Sequence, residues 1–273
     1  MLLRTITAII LLSIAAAMLF IGEIAVGIIL MLFTLIGINE LYKAAEKGGY
    51  APLKLISGLF VVPILFYLID AKYNYFSICI YIIASLVMLI CIIKCSKYSI
   101  MDAVITIGAG AIIANMFYCI LAVYKTGNDK MESALLLLLI LVGVSVTDTF
   151  AYFIGSAIGK HKLCPEVSPK KSIEGSIGGM IFVTLAMSLY GYYVVNPNVG
   201  ILKEVPVYAY AVLGIICGVI SQIGDLTASM IKRQFDIKDY GKIFPGHGGI
   251  LDRFDSFIFV APVIYFFINT FAA

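Results

Sequence analysis

The chain of 273 residues is 62% hydrophobic and only 13% charged, about half the charged share of an ordinary soluble domain. Nineteen basic and 16 acidic side chains are too few to cover a soluble surface of this size, and a mean hydropathy of +1.06 agrees. A soluble enzyme, a disordered chain and a secreted disulfide scaffold are excluded, which leaves an integral membrane protein of spanning helices. A net charge of +3 gives no reason to expect a nucleic-acid partner.

Apolar runs long enough to span a bilayer occur at about residues 5–21, 24–42, 53–69, 75–93, 101–124, 133–158, 174–195, 206–231 and 254–272. The first looks like a signal peptide, with Arg4 ahead of a short apolar stretch and Ala15-Ala16-Ala17. More spans follow at once, so it reads as the first of nine helices. The expected fold is therefore an all-α, polytopic membrane protein. Its loops assign the sides. Arg4 and the basic residues after spans 2, 4, 6 and 8 make 15 of the 19 on one side, while Lys72, Lys125, Lys130 and Lys203 fall on the other. The positive-inside rule makes the richer side, and with it the N-terminus, cytoplasmic.

Residues 1–132 read as a scaffold of membrane helices and 133–273 as the catalytic region of one continuous membrane domain. The six cysteines form no CxxC pair and mostly lie in apolar runs, as packing thiols do. With Trp absent, the 17 tyrosines supply the interfacial aromatics. No internal repeat supports an inverted-repeat transporter.

A charge inside a span is costly and points to function. Asp148 sits mid-span, and at helical spacing it shares a face with Tyr152, Gly155 and Gly159. That face leads into a basic loop at 159–173, which favours a site role over the plainer reading of a buried aspartate tying two helices together. Gly155 to Lys160 is one residue short of a P-loop and ends a helix, so Gly155/Gly159 and Gly175/Gly179 are read as small-residue helix contacts. In Ser168-Pro169-Lys170-Lys171-Ser172 two adjacent ammonium groups flanked by hydroxyls suit a polyphosphate. They equally suit anionic lipid headgroups.

The eighth span carries Gly218, Gln222, Asp225, Ser229 and Lys232 along one helical face, with Arg233 next to Lys232. A Gly-rich turn follows, Pro245-Gly246-His247-Gly248-Gly249, in which backbone amides can approach an anion. His247 could contact phosphate there. Asp252 and Asp255 are three apart at an expected helix start, so both carboxylates can face one way and converge with Asp225 and Asp148. Carboxylates among cations beside a glycine turn suit magnesium-assisted phosphoryl or nucleotidyl chemistry.

The run Ser229-Met-Ile-Lys232-Arg233, then Lys238-Asp239-Tyr-Gly241-Lys-Ile-Phe244-Pro245-Gly-His247-Gly248-Gly249-Ile-Leu-Asp252-Arg253-Phe-Asp255, resembles the signature of the phosphatidate cytidylyltransferases (CDP-diacylglycerol synthases). Asp148 to Gly155, Ser168 to Gly175, Gly224-Asp225-Leu226 and Glu40-Leu41-Tyr42 also resemble motifs of that family. Ser172 stands where Thr is more usual, and it keeps the hydroxyl. The resemblance implies the reaction CTP + phosphatidate → CDP-diacylglycerol + diphosphate, a homodimer, and a multi-pass protein of the bacterial cytoplasmic membrane with its site at the cytoplasmic face. It implies Asp225 and Asp252 as metal ligands for Mg2+, with a second, monovalent cation such as K+. The catalytic set expected is Asp148, Asp225, Asp252, Lys232 and Arg233. Ser168, Lys170, Lys171, Ser229, His247, Gly248, Gly249, Arg253 and Asp255 are expected to bind substrate.

Other functions fit less of the chain. A CTP-dependent kinase of a polyprenol or phytol alcohol shares the nucleotide but lacks the His-Gly-Gly…Asp-Arg-Phe-Asp signature. A cytidylyltransferase of an ether-linked lipid is a variant of the same chemistry. A cation-coupled transporter would line a path through the bilayer with charge, whereas these charges gather near one side.

Overall fold

The structure is a computed structural model that describes residues 22–71, 74–244, 246 and 248–271. The expected first span and His247 lie outside these residues. Helix α1 is Glu23–Lys47. A 3-10 segment, Lys54–Val61, runs into α2, Val62–Ile69. Next come α3 (Phe76–Ile93), α4 (Ile100–Thr126) and α5 (Lys130–Ile158). After strands β1 (Lys162–Cys164) and β2 (Ser168–Ser172) follow α6 (Ile173–Tyr190), α7 (Val207–Gln234), the short α8 (Leu251–Phe254) and α9 (Phe257–Phe271).

Among the described residues six helices are long and apolar enough to cross a membrane, with α6 counted through its π turn to Asn198. The expected spans at 53–69 and 254–272 are shorter apolar helices, Lys54–Ile69 and Phe257–Phe271. The first compensates for its length. Eight 3-10 residues rising about 2 Å each and eight α residues rising about 1.5 Å each reach about 28 Å, close to the ~30 Å hydrocarbon layer. Helix α9 has 15 residues, about 22 Å by the same rise, and contains Pro262.

The basic segment after α5 is a hairpin and not the loop expected. Its antiparallel register pairs Lys162 with Ser172 and Cys164 with Ser168. Pro169 favours this, because proline disfavours helical backbone at the residue before it. Ser172 then caps α6, its hydroxyl accepting from the Gly175 amide at 3.1 Å.

The chain forms two compact units, one of the described residues up to Ala122 with Ile231–Phe254, the other of Val123–Met230 with Asp255–Ala273. In the first, Phe254 meets Phe33 of α1 at 5.7 Å and Phe117 of α4 at 5.4 Å between ring centroids. Polar groups in this unit satisfy one another. Asp102 accepts from Ala51 N at 2.6 Å and Ser99 N at 2.8 Å, and Tyr42 donates to the Thr106 carbonyl at 2.8 Å.

In the second unit α5 and α6 pack at close range through glycine, as the small-residue spacing predicts. A Cβ at Gly179 would stand 2.7 Å from the Thr147 carbonyl oxygen, and one at Gly155 2.8 Å from the Ser172 hydroxyl. Gly108 of α4, by contrast, has nothing within 4 Å. Gly179→Leu is therefore expected to lower stability by about 1–3 kcal/mol through overpacking. Gly108→Ala is expected to leave it unchanged or raise it by up to ~1 kcal/mol. Thermal unfolding in detergent measures both, and equal effects would contradict the packing described.

Candidate functional site

The second unit gathers Asp148 from α5, Lys171 from β2, Asp225 from α7 and Ser256 from the turn just before α9. The Lys171 ammonium pairs with Asp225 Oδ2, both side chains remaining partly open to solvent. The Asp148 carboxylate lies within electrostatic range of both Asp225 and Lys171, and the Ser256 hydroxyl donates to its Oδ2 at 3.4 Å. Gly224 makes room for this approach, since a Cβ there would meet the Asp255 carbonyl oxygen at 2.7 Å. One turn back, Gln222 donates to the Ser176 carbonyl at 3.3 Å and ties α7 to α6.

β2 separates the two lysines that the sequence sets side by side. Successive strand residues face opposite ways; Lys171 turns to Asp225 while Lys170 is exposed. Ser168 on the same strand is half-buried. His161, just before β1, bonds through Nδ1 to Glu174 Oε1 at 2.6 Å, latching the hairpin to the first turn of α6.

The first unit holds a different carboxylate. Asp252 is buried in α8. Its Oδ1 accepts from Lys232 Nζ at 3.1 Å, and its Oδ2 from the amides of Tyr240 at 2.8 Å and Gly249 at 2.9 Å. The Lys232 ammonium also stands 5.5 Å from the centre of the Tyr240 ring. Gly248 has φ +85°, and a Cβ on it would reach 2.6 Å from Asp252 Oδ2, so conformation and space both require glycine here. The amide of Phe244 closes the turn on the Gly248 carbonyl at 2.9 Å.

Helix α8 stops at Phe254, so Asp255 lies outside the helix that carries Asp252. Its Oδ1 accepts instead from the Ser256 amide at 2.8 Å. Asp252 belongs to the first unit, and Asp148, Asp225 and Asp255 to the second. Arg233 and Arg253 are exposed and Ser229 is half-buried. Sequence reasoning assigned no role to Glu40, Tyr240 or Ser256. A signal existed for Glu40, a lone carboxylate at the end of an apolar span, which is the argument applied to Asp148. Tyr240 holds Asp252 through its backbone amide, a contact that no side-chain pattern can announce.

Among the described residues no group of three or more His, Cys, Asp and Glu side chains could hold a metal ion. Asp148 and Asp225 form a pair of hard oxygen donors, their charge half offset by Lys171. That suits magnesium, which usually binds through one or two carboxylates and leaves its remaining positions to water and substrate phosphates.

Residues 2–271 match the model of the Cytidylyltransferase family. The phosphatidate cytidylyltransferase of Bacillus subtilis (strain 168) is 43% identical over 128 residues, covering 46% of this chain and 44% of that protein. That of Staphylococcus aureus (strain COL) is 43% identical over 173 residues, 62% of this chain and 60% of its own length. That of Staphylococcus haemolyticus (strain JCSC1435) is 40% identical over 169 residues, with the same coverage. The chain thus spans 44% to 60% of the length of these curated relatives. With the family model matched along nearly the whole chain, this protein belongs to the cytidylyltransferase family.

Proposed function

We propose that the protein is a phosphatidate cytidylyltransferase, making CDP-diacylglycerol and diphosphate from CTP and phosphatidate. The observation that carries this reading is the arrangement of Asp148, Asp225 and Lys171 in a chain of this family. Two carboxylates and an ammonium on three separate elements form a site for metal and phosphate together.

An oxygen of the lipid phosphate attacks the α-phosphorus of CTP. A new phosphorus–oxygen bond forms, the bond to the β-phosphate bridge breaks, and diphosphate leaves with the electron pair. The lipid phosphate is already anionic near neutral pH, so no strong general base is needed; positioning and electrostatics supply the rate. Lys171 and Lys232 supply positive charge where negative charge develops. Arg233, Lys170 and Arg253, all exposed, contribute to nucleotide and headgroup binding, with Ser168, Ser229, His247, Gly248, Gly249 and Asp255.

Magnesium, when bound, neutralises phosphate charge and polarises the phosphorus under attack. Asp225, half-buried beside Asp148, offers it an open carboxylate. Asp252 already accepts three hydrogen bonds, so of roughly four lone-pair sites one remains for a cation. A monovalent cation such as K+ is the second metal proposed.

The proposed setting is the bacterial cytoplasmic membrane, with nine spans, the N-terminus inside, and the protein a homodimer. Helix α7 has 28 residues, about 42 Å, so it exceeds the ~30 Å hydrocarbon layer. The excess suits a polar end, at Lys232 and Arg233, standing at the cytoplasmic interface where CTP arrives from water.

Purified protein given labelled CTP, phosphatidate and Mg2+ is expected to release diphosphate and CDP-diacylglycerol. CDP with a newly phosphorylated alcohol would indicate the kinase instead, and no turnover with any lipid would revive the transporter. Lys171→Met is expected to lower kcat by about 10²–10³-fold; unchanged turnover would remove Lys171 from the site. Lys232→Met leaves Asp252 as an uncompensated buried charge and is expected to cost about 3–5 kcal/mol of stability, read from thermal unfolding. A loss under ~1 kcal/mol would show that the pair is not a buried one.

A further inference from the structure

We infer that Glu40, a residue of α1, is a positioning residue for this reaction, holding Asp252 in place by clamping the two backbone amides that follow Gly249. The inference rests on the cytidylyl-transfer reading for its catalytic consequence, and on geometry alone for the clamp.

Glu40 is 5% exposed near the end of a membrane-spanning helix. A carboxylate is retained in such a place only if donors replace water. Two do. Oε1 accepts from the Ile250 amide at 3.1 Å and Oε2 from the Leu251 amide at 3.0 Å. Both amides lie at the start of α8, where backbone donors have no partner within the helix. Three successive amides are thus divided between two carboxylates, Gly249 N going to Asp252 and the next two to Glu40.

The surrounding glycines fit the same account. A Cβ at Gly241 would collide with Glu40 Oε1, and one at Gly249 would collide with both carboxylate oxygens. The segment therefore lies flush against Glu40 from two sides. Shifting residues 249–251 moves the amide that holds Asp252 Oδ2, and with it the partner of Lys232. Glu40 acts through the backbone and so positions Asp252 without itself joining the chemistry.

The charge state matters as well as the shape. Glutamine has the same size but offers one acceptor and one amide donor. In Glu40→Gln one of the two backbone amides would face a donor.

The test uses the full chain in detergent or nanodiscs, comparing wild type with Glu40→Gln. Hydrogen exchange at Ile250 and Leu251 is expected to accelerate about tenfold or more, the usual effect of leaving a buried donor unsatisfied. Exchange in α5 and α6 should not change. With CTP and phosphatidate, kcat is expected to fall about tenfold or more while KM for CTP stays within about threefold, a geometric disturbance of the reacting groups and not a loss of binding. Gly241→Ala, which pushes on the same carboxylate from the other side, should show the same pattern and carries the test if Glu40→Gln does not insert. Unchanged exchange at Ile250 and Leu251 overturns the clamp. Accelerated exchange with unchanged kcat overturns the positioning role. A wild-type protein inactive toward CTP and phosphatidate overturns the functional reading, while the exchange result still decides the clamp.

Discussion

Asp252 is 6% exposed, and three donors converge on it: the Lys232 ammonium and the amides of Tyr240 and Gly249. In a chain so poor in charge, a carboxylate withdrawn from water is tolerated only with this degree of satisfaction. The requirement organises the surrounding chain. It draws the backbone after α7 around the acid, demands glycine at 248 for both angle and room, and fixes where α8 begins. Glu40 meets the same requirement with the next two amides. The N-terminal helices and the segment Ile231–Phe254, far apart in sequence, are held in one compact unit partly by these bonds.

The second unit answers the same constraint differently. Its paired aspartates, Asp148 and Asp225, rest on side chains. Asp225 pairs with the Lys171 ammonium and stays partly open, and Asp148, within electrostatic range of that ammonium, accepts from the Ser256 hydroxyl. A saturated carboxylate suits a structural anchor with a single lone-pair site to spare, whereas an open acidic pair suits a cation and the phosphates it brings. Glycine makes this arrangement possible as well. Gly155, Gly175 and Gly179 let α5 and α6 approach until Asp148 and the hairpin lysine belong to one cluster.

Much of this was legible in the residues. Apolar length gave the six long helices among the described residues, because backbone polar groups in lipid must be satisfied within the segment. Isolated charge within spans singled out Asp148 and Asp225. The hairpin at 162–172 was not legible, since Lys-Leu-Cys and Ser-Pro-Lys-Lys-Ser are too short and too polar to carry an alternation of apolar side chains. Nor was the break at Phe254 that separates Asp255 from the helix of Asp252. The spacing i, i+3 matches a helix face only if the helix continues. Glu40 had a signal but no visible partner, because both of its donors are backbone amides 210 and 211 residues away.

The central claim is that an oxygen of the lipid phosphate becomes the bridge to the α-phosphorus of CTP, with the phosphatidate phosphate kept whole. Phosphatidate labelled with 18O throughout its phosphate tests it directly. The account predicts that every labelled oxygen is recovered in the CDP-diacylglycerol and none in diphosphate. Label appearing in diphosphate, or lost to water during turnover, would contradict it.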